Sequence, residues 1–156
     1  MISPGTVAAL AVATAGGAGY APFAPGTVGS LVGLLIWWLM PPAAGPQAAA
    51  IAALFLAGCW SGSAAELYFQ KTDPSHVVLD EVVGMLITLF MIPVGWKGAA
   101  VGFLLFRVFD IVKPPPANRL EHLPGGIGIM ADDAMSAVYA NLALRLSIWA
   151  YGRVAI

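Results

Sequence analysis

Apolar, uncharged segments alternate with short charged ones along the whole chain, and the alternation outlines a set of helices. Residues 5–18 predict a helix lying in or against a membrane. This stretch lacks the basic start of a signal peptide and runs into YAPFAPGTVGS, so it reads as part of the working chain. Val28 to Met40 is apolar and is broken by PPAAGP. Gln47 to Ala65 is a run of 19 uncharged residues, close to the roughly 20 needed to span a bilayer. Glu66 to Glu81 carries charge and the turn-forming pair Asp73-Pro74. Val82 to Val94 is apolar up to the turn at GWKG. The next apolar run, Ala99 to Phe106, predicts a helix continuing through Arg107 and Asp110 to Lys113. Three prolines stop it there, because each removes a backbone donor and clashes with helical geometry. Residues 117–131 predict a Gly-rich loop, and Asp132 is expected to open a last helix that ends near Tyr151. The expected architecture is a single all-α domain over residues 1–156, a compact multi-pass membrane bundle of short helices with interfacial loops.

The order of the segments predicts which loops share a side. One hairpin turns at PPAAGP and a second at PVGWKG, so the loops at 19–30, 66–81 and 110–132 emerge together. That side carries Lys71, Arg107, Lys113 and Arg119, whereas the hairpin tips carry only Lys97. The positive-inside bias assigns it to the cytoplasm, although Arg153 past the last helix counts the other way. A helix over Asp80–Val94 would be about 22 Å long at 1.5 Å per residue. That is less than the hydrocarbon core, so its charged end is expected at the interface.

Composition sharpens this picture. The chain of 156 residues is 60% hydrophobic and only 10% charged, against about a quarter charged in an ordinary soluble domain. Residues 1–65 carry no Asp, Glu, Lys or Arg. The net charge of -1 and the lack of a basic stripe exclude nucleic acid as a partner. No protein partner is deducible. The single cysteine, Cys59, forms no intrachain disulfide and reads as a small buried apolar residue.

Against this background five acids stand in three knots: Asp80-Glu81, Asp110, and Asp132-Asp133. Each pair is expected in the first turn of a helix, where the dipole favours carboxylates. Simple N-capping would explain one isolated pair. Two pairs and a fifth acid on one side repel one another unless a cation holds them. An oxygen-only donor set without a His/Cys cluster points to Mg2+ or Mn2+ rather than zinc. Asp80, Glu81, Asp132 and Asp133 are the expected metal ligands, with Asp110 completing the shell or orienting water. Arg107, Asp110 and Lys113 recur every three residues, as a salt-bridged helix end or as a phosphate clamp. Gly125, Gly126 and Gly128 offer backbone N–H groups to an anion beside a helix start. Thr27 and Ser30 are expected to cap a helix, with phosphate contact the alternative. His76 reads as a loop histidine near the acids.

Metal, cations and an anion-binding loop at a lipid interface suggest phosphate chemistry on a lipid headgroup. The P-loop, the D-x-D pair of soluble aspartyl-phosphate phosphatases, a histidine-based lipid phosphatase pattern and the DGxxAR signature are all missing. A small ion-coupled carrier is the competing class, but it would place its carboxylates mid-helix with access from both sides. A purely structural subunit gives no reason for clustered acids.

Four stretches, APGTVGSL (24–31), DPSHVVLDEVVGM (73–85), FRVFDIVKPPP (106–116) and GGIGIMADD (125–133), resemble the phosphatidylglycerophosphatase A family over nearly the whole chain. Ser136-Ala137 and Pro115 depart from its usual pattern without touching an ionisable position. The resemblance implies a multi-pass enzyme of the bacterial inner membrane with its site facing the cytoplasm. It implies Mg2+-dependent removal of the terminal phosphate of phosphatidylglycerophosphate, leaving phosphatidylglycerol. Lys113, with Arg107 behind it, would then stabilise the transferring phosphoryl group, and Thr27 with the Gly125–Gly128 loop would contact substrate.

Overall fold

The computed structural model describes residues 3–154, with side chains to residue 151. The described residues form seven α-helices and no strand, as the apolar pattern predicts.

Helix α1 (Pro4–Ala13) starts where Ser3 Oγ accepts the Thr6 N–H at 3.1 Å and Pro4 occupies the first turn. A turn and one 3-10 turn (Ala18–Tyr20) lead to α2 (Pro25–Leu39). Proline again opens the helix, but its N-cap is Ala24, with no side-chain cap. Thr27 and Ser30 therefore do not cap, contrary to the sequence expectation. Ser30 instead donates back to the Gly26 carbonyl at 3.0 Å.

Helix α3 (Ala44–Phe69) has 26 residues and is the one described helix long and apolar enough to cross a membrane. Helix α4 (Leu79–Thr88) is the hub, with eight of its ten residues buried against α2, α3, α5 and α7. At about 15 Å it is too short to cross a bilayer. Helix α5 (Trp96–Val112) ends at Lys113, which takes a left-handed φ of 43° before Pro114–Pro116. A four-residue helix, α6 (Ala117–Leu120), precedes the long α7 (Gly126–Val154).

Two boundaries differ from the sequence reading. Helix α4 ends at Thr88 rather than continuing to Val94, because side chains from elsewhere take over its terminal carbonyls. Asn141 Nδ2 donates to the carbonyls of Ile87 and Thr88 at 3.0 Å and of Phe90 at 3.2 Å. Arg145 donates to Phe90 and Met91, and Gln47 Oε1 accepts the Met91 N–H at 3.4 Å. These partners satisfy groups that a helix end otherwise leaves orphaned. Helix α7 starts at Gly126, six residues before the expected start at Asp132. Gly125, at a φ of 64°, turns the chain into it.

The tightest seam lies between α2 and α4. Gly26, Gly29, Ser30 and Gly33 follow the i, i+3, i+4, i+7 spacing of one helix face. A Cβ at Gly29 would sit 2.8 Å from the Val78 carbonyl oxygen, and one at Gly33 would sit 2.6 Å from the Val82 carbonyl oxygen. Only a stripe without side chains allows this approach. On the other side of α4, Met85, Leu89, Phe106, Ala137 and Leu144 form the main core with α5 and α7. The outer surface is apolar too: Leu35, Leu56, Leu104, Ile111, Leu142 and Trp149 are all exposed. An apolar coat of this kind marks an interaction with something other than water.

Candidate metal and phosphate site

Asp80 and Glu81 occupy the first turn of α4, as their place before an apolar helix predicts. Asp133 reaches them from the second turn of α7. One carboxylate oxygen from each of the three lies within 4.8 Å of the others. Asp80 Oδ1, Glu81 Oε2 and Asp133 Oδ2 are buried and have no hydrogen-bond partner. Unpaired buried acceptors are costly, and three carboxylates gathered this closely fit a cation with oxygen ligands. Burial pushes the Asp80 carboxyl well above its usual range, and the neighbouring Glu81 and Asp133 charges push it further. Burial also raises Glu81, against the pull of the Arg107 charge. A divalent ion would reverse this balance by stabilising the charged forms.

Asp132 does not join this trio. The helical phase set by the start at Gly126 turns it the other way, where its Oδ2 accepts a hydrogen bond from Lys113 Nζ. Its Oδ1 accepts the Asp133 backbone N–H at 2.9 Å. Lys113 also faces Glu121 at 3.7 Å. Burial alone would lower the Lys113 ammonium, but the hydrogen bond and charge of Asp132, with Asp133 and Asp110 nearby, hold it above its usual value.

Arg107 and Asp110 form the third corner. Arg107 pairs with Asp110 at 2.8 Å and approaches Glu81 at 3.9 Å. It also donates to Ser30 Oγ at 3.5 Å, tying α5 to α2. Asp110 lies close enough to Asp133 for the two charges to repel. The i, i+3 spacing thus serves a salt bridge that orients the guanidinium beside the carboxylate trio.

The glycines behave differently from the expected anion cradle. The Gly126 N–H donates to Ser63 Oγ at 2.9 Å, and the Gly128 N–H to the Gly125 carbonyl at 3.0 Å. A Cβ at Gly126 would lie 2.2 Å from the Cys59 carbonyl oxygen, and one at Gly128 would lie 2.2 Å from that of Leu123. These two residues let α7 start flush against α3 and the preceding loop, and their donors are already committed. Thr27 is half-buried on α2 with no hydrogen-bond partner among the described residues. His76 stacks on Phe69 at 4.9 Å and tilts against Tyr20 at 5.3 Å, a packing role.

Three residues of this neighbourhood have roles that the sequence did not assign to them. Gly26 lies under the Glu81–Arg107 pair: a Cβ there would come 2.1 Å from Glu81 Oε1 and 3.2 Å from an Arg107 nitrogen. Ser30 receives Arg107, and the small-residue spacing of α2 was the signal for both. Asp73, read only as a turn former, lies within the field of Lys113, Lys71 and Asp110. Its N–H donates to Glu66 Oε1 at 3.1 Å.

A carboxylate trio flanked by Arg107 and Lys113 thus lies at one end of an all-helical body with an apolar coat. The chain belongs to the phosphatidylglycerophosphatase A family, whose profile matches residues 11–148. It is 38% identical over 128 residues to a phosphatidylglycerophosphatase A of Haemophilus influenzae, covering 80% of this chain and 78% of that protein. It is 34% identical over 125 residues to the Escherichia coli protein of the same name, covering 78% and 73%. A Bacteroides thetaiotaomicron protein, named provisionally as a phosphatidylinositol-3-phosphatase, is 37% identical over 150 residues, covering 90% of this chain and 94% of that protein. No solved structure matches the chain.

Proposed function

We propose that the protein hydrolyses the terminal phosphate monoester of phosphatidylglycerophosphate, yielding phosphatidylglycerol and inorganic phosphate. The observation that carries this reading is the clustering of the Asp80, Glu81 and Asp133 carboxylates, each with a buried oxygen left unpaired, beside an oriented arginine. These three residues would hold Mg2+, the hard cation that an oxygen-only set suits. When bound there, Mg2+ supplies charge neutralisation for the phosphoryl oxygens and acidifies a coordinated water.

The chain's own residues supply the positioning that dominates phosphoryl transfer. Arg107, locked between Asp110, Glu81 and Ser30, presents its guanidinium to the phosphate. Lys113 adds a second positive charge, and Asp132 fixes where its ammonium points. Asp132 thus serves as a positioning residue beside the metal set. Asp110 orients Arg107. Thr27, one residue from Gly26, offers its unpartnered hydroxyl to the headgroup. Gly125, Gly126 and Gly128 contribute by seating α7, which carries Asp133.

On this reading the protein is a multi-pass bundle of the bacterial inner membrane, with the carboxylate end at the cytoplasmic headgroup layer. The exposed apolar coat and the cations Lys71, Arg107, Lys113 and Arg119 at that end support this reading. Carboxylates gathered at one end do not suit an ion-coupled carrier.

The name of the Bacteroides relative favours a second reading, a phosphoinositide monoester as substrate. Phosphate release by purified protein in detergent separates the two. Phosphatidylglycerophosphate and phosphatidylinositol 3-phosphate are supplied in parallel, each with Mg2+ or with EDTA. Metal-dependent release from the first alone is the expected result. Release from neither would overturn the phosphatase assignment.

A further inference from the structure

Helices α2 and α5 run antiparallel and meet at the site, where Arg107 donates to Ser30. Below that bond they part. A groove of about 360 Å³ opens between them, lined by Leu31, Leu34, Leu35, Trp38, Trp96 and Ala99. The lining falls on the same seam as the bond. On α2, Leu34 and Trp38 lie four and eight residues after Ser30. On α5, Ala99 and Trp96 lie eight and eleven residues before Arg107. Both series follow one helix face. From Leu31 to Trp38 the groove runs about 10 Å along the helix axis.

We propose that this groove binds one acyl chain of the lipid substrate whose phosphate sits at Arg107. The inference rests on the phosphatase reading above and adds a chain-binding subsite to it. Continuity carries it: the groove lies on the same α2–α5 seam as the Arg107–Ser30 bond, and on α2 its lining starts one residue after Ser30 and goes on at Leu34, one turn further. The chemistry of the walls agrees. Buried Ala99 forms a floor, and the rim is open, with Leu35 58% and Trp96 67% exposed. A chain can therefore enter sideways from a bilayer. Two other cavities lack this continuity. One, about 700 Å³, opens at the opposite end, by Met40, Gln47 and Met91. The other, beside Phe55 and Phe90, lies between α3 and the far end of α4.

The test uses the full chain in detergent and a phosphatidylglycerophosphate carrying a diazirine in one long acyl chain. Crosslinks are expected on residues 31–38 and 96–99. A dihexanoyl phosphatidylglycerophosphate competitor, which occupies the headgroup site, should suppress them, and phosphatidylglycerol with the same diazirine chain should label them weakly. Leu35→Trp, which narrows the rim, should cut this labelling and lower kcat/KM for the long-chain substrate about tenfold through KM. Its kcat/KM for the dihexanoyl substrate should stay at the wild-type value. Labelling spread over the exposed faces of α3 and α7 and indifferent to the competitor would overturn the proposal, as would an unchanged long-to-short ratio in Leu35→Trp. Phosphate release by the wild type is scored separately, so loss of the phosphatase reading shows itself in a different measurement.

Discussion

Lys113 is bonded to Asp132 and leaves Asp133, the next residue, to face Asp80 and Glu81. Two adjacent aspartates thus have different partners, and their substitutions should differ in kind. Asp133→Asn should abolish tight metal binding, read by Mn2+ titration, and lower turnover at least about 100-fold. Asp132→Asn should retain the metal and lower turnover about 10- to 100-fold. Lys113→Met should have a similar effect, and the double variant should be little worse than either single one, because the two act as a unit. Additive losses would show that Asp132 acts independently of Lys113.

The carboxylate trio should cost stability when no metal is present. Burial and mutual repulsion disfavour its charged forms, and nothing else pairs the three inner oxygens. In EDTA, Asp80→Asn is therefore expected to melt at a higher temperature than the wild type in detergent, while losing phosphatase activity. Adding Mg2+ should raise the wild-type melting temperature and leave that of Asp80→Asn nearly unchanged. A metal-independent wild-type melting curve would count against the metal site.

How far the site was legible from sequence depended on local phase. Asp80 and Glu81 sit at the boundary between a charged loop and an apolar run, and a boundary of that kind fixes their place in a first turn. Asp132 and Asp133 sit inside α7, so which of them faces the trio depends on where the helix starts. That start is at Gly126, in a Gly-rich stretch whose composition reads as loop; its contact with Ser63 on α3 makes it helical. The early end of α4 was hidden for a similar reason. Its carbonyls are met by Asn141 and Arg145, more than 50 residues away, and no local pattern announces them. The all-helical class needed no such long-range information, because long apolar runs broken by Pro and Gly already dictate it.

Gly26 is expected to be intolerant of any side chain. A methyl group there would lie 2.1 Å from Glu81 Oε1, so Glu81 or α2 must move. Gly26→Ala should weaken metal affinity and lower kcat, with a loss of roughly 1–3 kcal/mol in stability from overpacking. Gly45→Ala is the control: nothing lies within 4 Å of its added methyl group. Wild-type metal affinity in Gly26→Ala would show that the Glu81 carboxylate does not need its present position.

Asn141 closes the hub helix from its far end. Its amide group donates to three carbonyls around the last turn of α4, and its own oxygen accepts from Arg145 Nε at 2.8 Å. Asn141→Leu keeps a similar volume but removes these donations; Phe90 keeps Arg145 and Ile87 keeps the Phe90 N–H, while the Thr88 carbonyl loses its donor. The expected loss is about 1–3 kcal/mol for a buried acceptor left unpaired, measured by denaturant unfolding in mixed micelles. Because α4 carries Asp80 and Glu81 at its other end, fraying at Thr88 should propagate as weaker Mn2+ affinity. Amide hydrogen exchange supplies the discriminating readout: Asn141→Leu should accelerate exchange across residues 85–92 while leaving α3 protected. Uniform acceleration throughout the chain would mean that the side chain supports the fold generally rather than closing α4.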